Sequence, residues 1–105
     1  MTSRPNPPIP RRIKVGKKMY SVDIVETMKR SRDRGRIWYE LGRIEIGEAS
    51  NVDGRKYTAS QMSETFWHEL VHAILYEMNS SLYRNERFVD AFGLHLAKAI
   101  QSAKL

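Results

Sequence analysis

Cysteine is absent from the 105 residues. That excludes disulfides and every thiolate metal site, so any metal here is held by nitrogen and oxygen donors. The absence also fits a reducing compartment. Long apolar runs are missing too, and no stretch approaches the roughly 20 residues that a membrane-spanning helix needs. The basic residues near the N-terminus have no apolar segment behind them, so nothing reads as a secretory signal. The expectation is a protein of the cytoplasm with no membrane partner. Proline is confined to Pro5, Pro7, Pro8 and Pro10. This clustering excludes a helix or central strand there, and residues 1–11 are expected to be a disordered arm.

What remains, residues 12–105, is enough for one domain and one modest core. With 41% hydrophobic and 29% charged residues, the chain has ordinary globular composition. The net charge of +6 is unevenly spread: residues 1–36 carry 11 Lys/Arg against 3 Asp/Glu, and the rest carry 7 against 9. A basic first third could meet nucleic acid or an acidic protein, or simply be a solvated surface. No nucleic-acid motif accompanies the charge.

Apolar and polar residues alternate over 13–15 and 19–25 around Gly16-Lys17-Lys18, predicting a hairpin. Residues 26–34 are polar, a short helix or a loop. A second hairpin is expected from Gly35, turning near Leu41-Gly42, with Ile44 and Ile46 facing the core and Arg43 and Glu45 facing out. Residues 51–54 form a turn cluster. The period then changes. Thr58-Ala-Ser-Gln61 fits a capping box that opens a helix running to about Met78. A second helix is expected from about Tyr83 to Ala103, with Phe88, Val89, Phe92, Leu96 and Ile100 on one face. Two hairpins before two helices predict an α+β fold, a small antiparallel sheet packed on the helices.

His68-Glu69-Leu70-Val71-His72 lies within the first predicted helix. At about 100° per residue the two histidines project from one face and can chelate one ion, while Glu69 lies on the adjoining side. Neutral imidazoles suit zinc. Trp67, Leu70, Val71, Ile74, Leu75 and Met78 cover a wide apolar arc, and Thr65 and Tyr76 share the remaining sector with the motif. A buried helix with one polar notch is a frame for a dry, rigid metal site; the bland alternative is two histidines and a glutamate on a solvated helix face.

Zinc needs a third protein ligand. The only other histidine, His95, lies on the far side of the second helix and reads as solvent-facing. Glu86 and Asp90, at i and i+4, sit beside the apolar stripe of that helix. Glu86 is the preferred ligand, with Asp90 orienting a ligating imidazole; Asp90 as the direct ligand is the alternative, and an exposed acidic pair is the bland one.

The His68-Glu-Leu-Val-His72 motif, followed by Asn85-Glu86-Arg-Phe-Val-Asp90, resembles the gluzincin group of zincin metallopeptidases. The layout from about residue 12 onward, with His72-Ala-Ile-Leu-Tyr76 extending the motif, is similar to small phage-type ImmA/IrrE-like metallopeptidases. The resemblance implies zinc on His68, His72 and Glu86, with Asp90 bracing the first histidine. It implies hydrolysis of a protein or peptide substrate, with Glu69 as general base for a water activated by the ion. Tyr76 and Tyr83 are candidate oxyanion donors, though both are residue types that pack readily at helix contacts. Residues 43–47 are the preferred sheet edge for pairing with an extended substrate. Two other readings share the site: a zinc-stabilised phage-type protein whose basic third binds protein or nucleic acid, and a zinc hydrolase acting on something other than peptides.

Overall fold

The computed structural model describes residues 9–28 and 33–103. The expected arm lies outside these residues up to residue 8, and the polar stretch at 26–34 lies outside them at 29–32.

The two hairpins form where the alternation places them. Strands β1 (Arg12–Val15) and β2 (Lys18–Thr27) pair antiparallel about a turn at Gly16, φ +62. Strands β3 (Gly35–Trp38) and β4 (Arg43–Ala49) pair antiparallel about Gly42, φ +65. A side chain at Gly42 would be strained by its φ, and its Cβ would also stand 2.8 Å from the Met19 carbonyl oxygen. Lys18 clamps this second turn from β2 by donating to the carbonyls of Tyr39 and Glu40.

The hairpins do not join as an antiparallel sheet. β2 pairs parallel with β4, Val22 opposite Ile44 and Ile24 opposite Ile46, giving a mixed sheet in the order β1-β2-β4-β3. Alternation fixes which face a residue occupies but not which strand lies beside it, so the sequence pattern is silent on this point. The physical gain is clear: the two most apolar strands lie side by side at the sheet centre, and Tyr20, Ile44 and Ile46 are fully buried. A parallel pair requires a crossover. Here its near end is held by Met28, whose buried side chain lies against Gly47 and whose carbonyl accepts from Asn51. The arrangement also makes β4 a central strand, so residues 43–47 are no edge; the edge beside the helices is β3.

Helix α1 (Ala59–Glu77) opens with the expected capping box: Thr58 Oγ1 accepts from Gln61 N at 3.0 Å and Gln61 Oε1 accepts from Thr58 N at 2.8 Å. It closes through Asn79 at φ 60, with Ser80 N donating to the Leu75 carbonyl. Phe66, Leu70 and Ala73 pack on the inner face of the sheet with Val15, Tyr20, Val22, Ile44 and Ile46. Val71 and Leu75 pack instead on helix α2 (Glu86–Ser102), so α1 lies between the sheet and α2. Ile74 and Met78, expected in the apolar arc, lie outside the core.

The second helix begins later than its pattern suggested. Ser81–Arg84 form a 3-10 turn capped by the Ser80 hydroxyl, and Asn85 then caps α2 by accepting from Phe88 N at 2.9 Å. The expected stripe holds at Val89, with Phe88 and Leu96 packed beside it, but not at Phe92. Val89, Gly93 and Ala97 are buried, whereas Phe92 is 50% exposed. A Cβ at Gly93 would stand 3.2 Å from the His68 Cα. Such close approach of two helix backbones leaves no room for a phenyl ring in the contact, so the aromatic residues flank it.

Candidate metal centre

His68 and His72 leave α1 one turn apart, with ring centroids 4.9 Å apart and planes crossed at 70°. Glu86, the first residue of α2, comes to both of them. Its Oε2 lies 3.5 Å from His68 Nε2 and its Oε1 lies 2.7 Å from His72 Nε2. The three side chains offer one ligand atom each, all within 4.8 Å of one another. Among the described residues this is the only such group of three.

Each imidazole is held from behind. His68 Nδ1 stands 3.1 Å from Asp90 Oδ1, one helical turn beyond Glu86. His72 Nδ1 stands 2.7 Å from the backbone carbonyl of Tyr83. A carbonyl oxygen only accepts, so the Nδ1 of His72 carries the proton; the exposed Asp90 carboxylate sets His68 the same way. Both Nε2 lone pairs therefore face the carboxylate of Glu86. Acceptors opposed at 2.7 and 3.5 Å are stable only with a positive charge between them, which either a proton on Nε2 or a metal cation can supply. Tetrahedral coordination at about 2.0–2.1 Å puts ligand atoms roughly 3.3 Å apart. The two contacts, made by different oxygens of Glu86, bracket that spacing. Two nitrogens and a carboxylate suit zinc and other first-row divalent ions alike. The residues fit a metal.

Burial, then the neighbouring His72, holds His68 below the usual histidine range, against the opposing pull of Glu86 and Asp90. A neutral ring is the form a metal requires.

Glu69 is buried, yet its carboxylate lines the cleft beside the triad. No hydrogen bond reaches it among the described residues. Burial, with Glu86, Asp33 and Asp90 as nearby negative charges, pushes it up to about 8. A cation bound on His68, His72 and Glu86 would act in the opposite sense. Gly35 makes the position of Glu69 achievable: a Cβ there would come within 2.6 Å of Thr65 Cγ2 and 3.1 Å of Glu69 Cγ. Edge strand β3 thus lies directly against the motif helix.

The cleft so formed has a volume of about 850 Å³, with β3 on one side and the motif helix and α2 on the other. Tyr39, just after β3, also lines it. Its ring stacks on Tyr76 at 4.4 Å and meets the edge of Tyr83 at 5.2 Å. Burial, then Glu69, Tyr83 and Glu86, raises its hydroxyl to about 12. Tyr76 and Tyr83 are not among the cleft-lining residues; they support Tyr39, and Tyr83 serves His72 through its backbone. His95 is exposed, away from the site.

The structure therefore brings His68, Glu69, His72, Glu86 and Asp90 together, as the sequence pattern expects. It adds Tyr39, Gly35, Gly93 and the Tyr83 carbonyl, which that pattern misses. A backbone carbonyl leaves no sequence signal. The i, i+4, i+8 row Val89-Gly93-Ala97 does offer one, as a smooth seam on which two helices can approach. Among the described residues, no helix is long and apolar enough to cross a membrane. Compared with protein-family models, curated proteins and solved structures, the chain finds no match in any of the three.

Proposed function

We propose that the chain is a zinc-dependent metallopeptidase of the cytoplasm, of the gluzincin type and similar to the small ImmA/IrrE-like enzymes. The observation that carries this reading is Glu69: a buried carboxylate, bonded to nothing among the described residues, facing the same cleft as two braced imidazoles and a third donor. A site that only stabilised the fold would gain nothing from a largely buried acid beside it that bonds to no protein group, since burying such a group costs free energy. A bound zinc ion would supply Lewis acidity, polarising a carbonyl and activating water.

The chain's own residues do the rest. His68, His72 and Glu86 hold the ion, and Asp90 and the Tyr83 carbonyl fix the imidazole orientations. Glu69 accepts the proton of the attacking water and returns it to the leaving amine. Among the described residues β3 pairs with β4 alone, and its other edge borders the cleft, so an extended peptide can add to it as a further strand. Tyr39 lines the cleft where Tyr76 and Tyr83 do not, which makes its hydroxyl the better placed donor to developing negative charge.

The test is Glu69→Gln at matched zinc occupancy. The amide keeps the shape but accepts no proton, so metal content and melting temperature should be unchanged, while peptide cleavage falls by about 10²–10⁴-fold. Equal cleavage rates for the two proteins would sink the peptidase mechanism and favour a zinc-stabilised interaction protein. Cleavage of esters or amides that are not peptides, with peptides untouched, would favour the other hydrolase.

A further inference from the structure

The helices cover one face of the sheet. The strand pairings place a second set of side chains on the other face, and among the described residues no helix covers it. Arg12 and Lys14 of β1 lie on this outer face beside Met19, which is 50% exposed. Arg36 and Trp38 of β3 lie on it across from Arg43 of β4. The two guanidiniums flank the indole: Arg36 sits 5.5 Å and Arg43 5.7 Å from the Trp38 ring centroid.

The acids on this face, Asp23 and Glu45, are both bridged by Arg43, at 3.2 and 2.7 Å. Arg12, Lys14 and Arg36 make no ion pair among the described residues. The face therefore keeps a net positive charge, with a half-buried aromatic ring at one end and an exposed thioether near the other. It spans four strands, so the distance from β1 to β3 is roughly 14 Å. The charge asymmetry read along the chain becomes a spatial one. Part of the basic first third meets Trp38 and Arg43 from beyond it, on the sheet face turned away from the helices, with Arg36 also bordering the metal cleft.

We propose that this outer face binds single-stranded nucleic acid. Phosphates match the unpaired cations, and an unstacked base matches the indole and guanidinium planes, which an acidic peptide would leave unused. Base faces in a duplex are already stacked, and the face of a four-stranded sheet is broader than the two-stranded ribbon a major groove admits, so a duplex uses the charge alone. The inference does not depend on the peptidase reading, and peptide cleavage is not part of its test.

The measurement is fluorescence anisotropy of a labelled oligothymidine, with the full chain titrated across a salt series. Saturable binding is expected, stronger than to a duplex of the same length or to poly-glutamate. Trp38→Ala should weaken it by about five-fold or more, the lower end of what one stacked base contributes. Trp38→Phe should retain most of it. Lys14→Gln and Arg36→Gln, both at exposed positions, should each weaken it and flatten the logarithmic salt dependence by about 0.7 for each phosphate left without its cation. Should Trp38→Ala fail to fold, these two surface variants decide the question alone. No binding at low salt, affinity unchanged in the surface variants, or tighter binding of duplex or poly-glutamate would each overturn the proposal.

Discussion

The side chains of the candidate metal centre come from two helices with opposite characters. On α1, the side chains of His72 and His68 are 6% and 24% exposed, in a helix buried between the sheet and α2. On α2, Glu86 and Asp90 are 65% and 68% exposed and sit in the first two turns of the helix. The first pair is positioned by folding itself: packing of Phe66, Leu70, Val71 and Ala73 fixes the rotation of α1, and the rings have nowhere else to go. The second pair depends on how α2 docks, through the contact of Gly93 with the His68 backbone and the 3-10 turn before Asn85. One half of the site is built into the core and the other is brought to it. Disturbing the two halves separately should have unequal effects.

The largest effect belongs to the core half. His68→Ala with His72→Ala removes two of three donors, and metal content by plasma emission spectrometry should drop from about one zinc per chain to none. Full occupancy surviving in that double variant would put the metal somewhere else. The docked half should show a graded response. Glu86→Ala removes a ligand atom; Asp90→Ala removes only the brace behind His68, a loss of roughly 10–100-fold in affinity. A chelator competition titration ranks the two. If Asp90→Ala proved the more damaging, the ligand role would pass to Asp90 and Glu86 would become a bystander on an exposed helix end.

The same asymmetry explains how much was legible in the sequence. The His68-Glu69-His72 spacing, the Thr58–Gln61 capping box and the inward row Ile44/Ile46 are local patterns, set within one element by its own period, and each appears in the structure at its expected place. The α+β class follows from the order of those elements. What could not be read is relational. Parallel pairing of β2 with β4, the demotion of residues 43–47 from edge to centre and the arrival of Tyr39 in the cleft all depend on which elements become neighbours. The stripe on α2 holds at Phe88, Val89 and Leu96 but misses at Phe92 for a related reason: hydrophobicity nominated Phe92, while backbone proximity at Gly93 decided the contact. Glu86 and Asp90 still reach the histidines although the expected stripe was partly wrong, because the true seam at Val89, Gly93 and Ala97 lies near enough to present the same two carboxylates.

The smallest predicted effect probes that seam and touches no ligand. Gly93→Ala adds one methyl group where a Cβ would stand 3.2 Å from the His68 Cα. That neighbour is backbone in the middle of a buried helix, so relief must come from α2 moving outward by a few tenths of an ångström. Removing a glycine from a helix interior favours the helix by up to about 1 kcal/mol, so the metal-free protein should melt at the same or a slightly higher temperature. Metal affinity should move the other way. Glu86 and Asp90 ride on α2, and a small retreat worsens their distances to His68 and His72 without deleting a donor, so the loss should stay below the roughly 10-fold lower bound for removing a brace. Thermal melts in excess chelator give the first quantity, and competition titration gives the second. Opposite signs would show that docking of α2 tunes the site independently of fold stability. Unchanged affinity beside a stabilised helix would mean that the Gly93 contact does not set the position of the carboxylates, and the division into a core half and a docked half would fail.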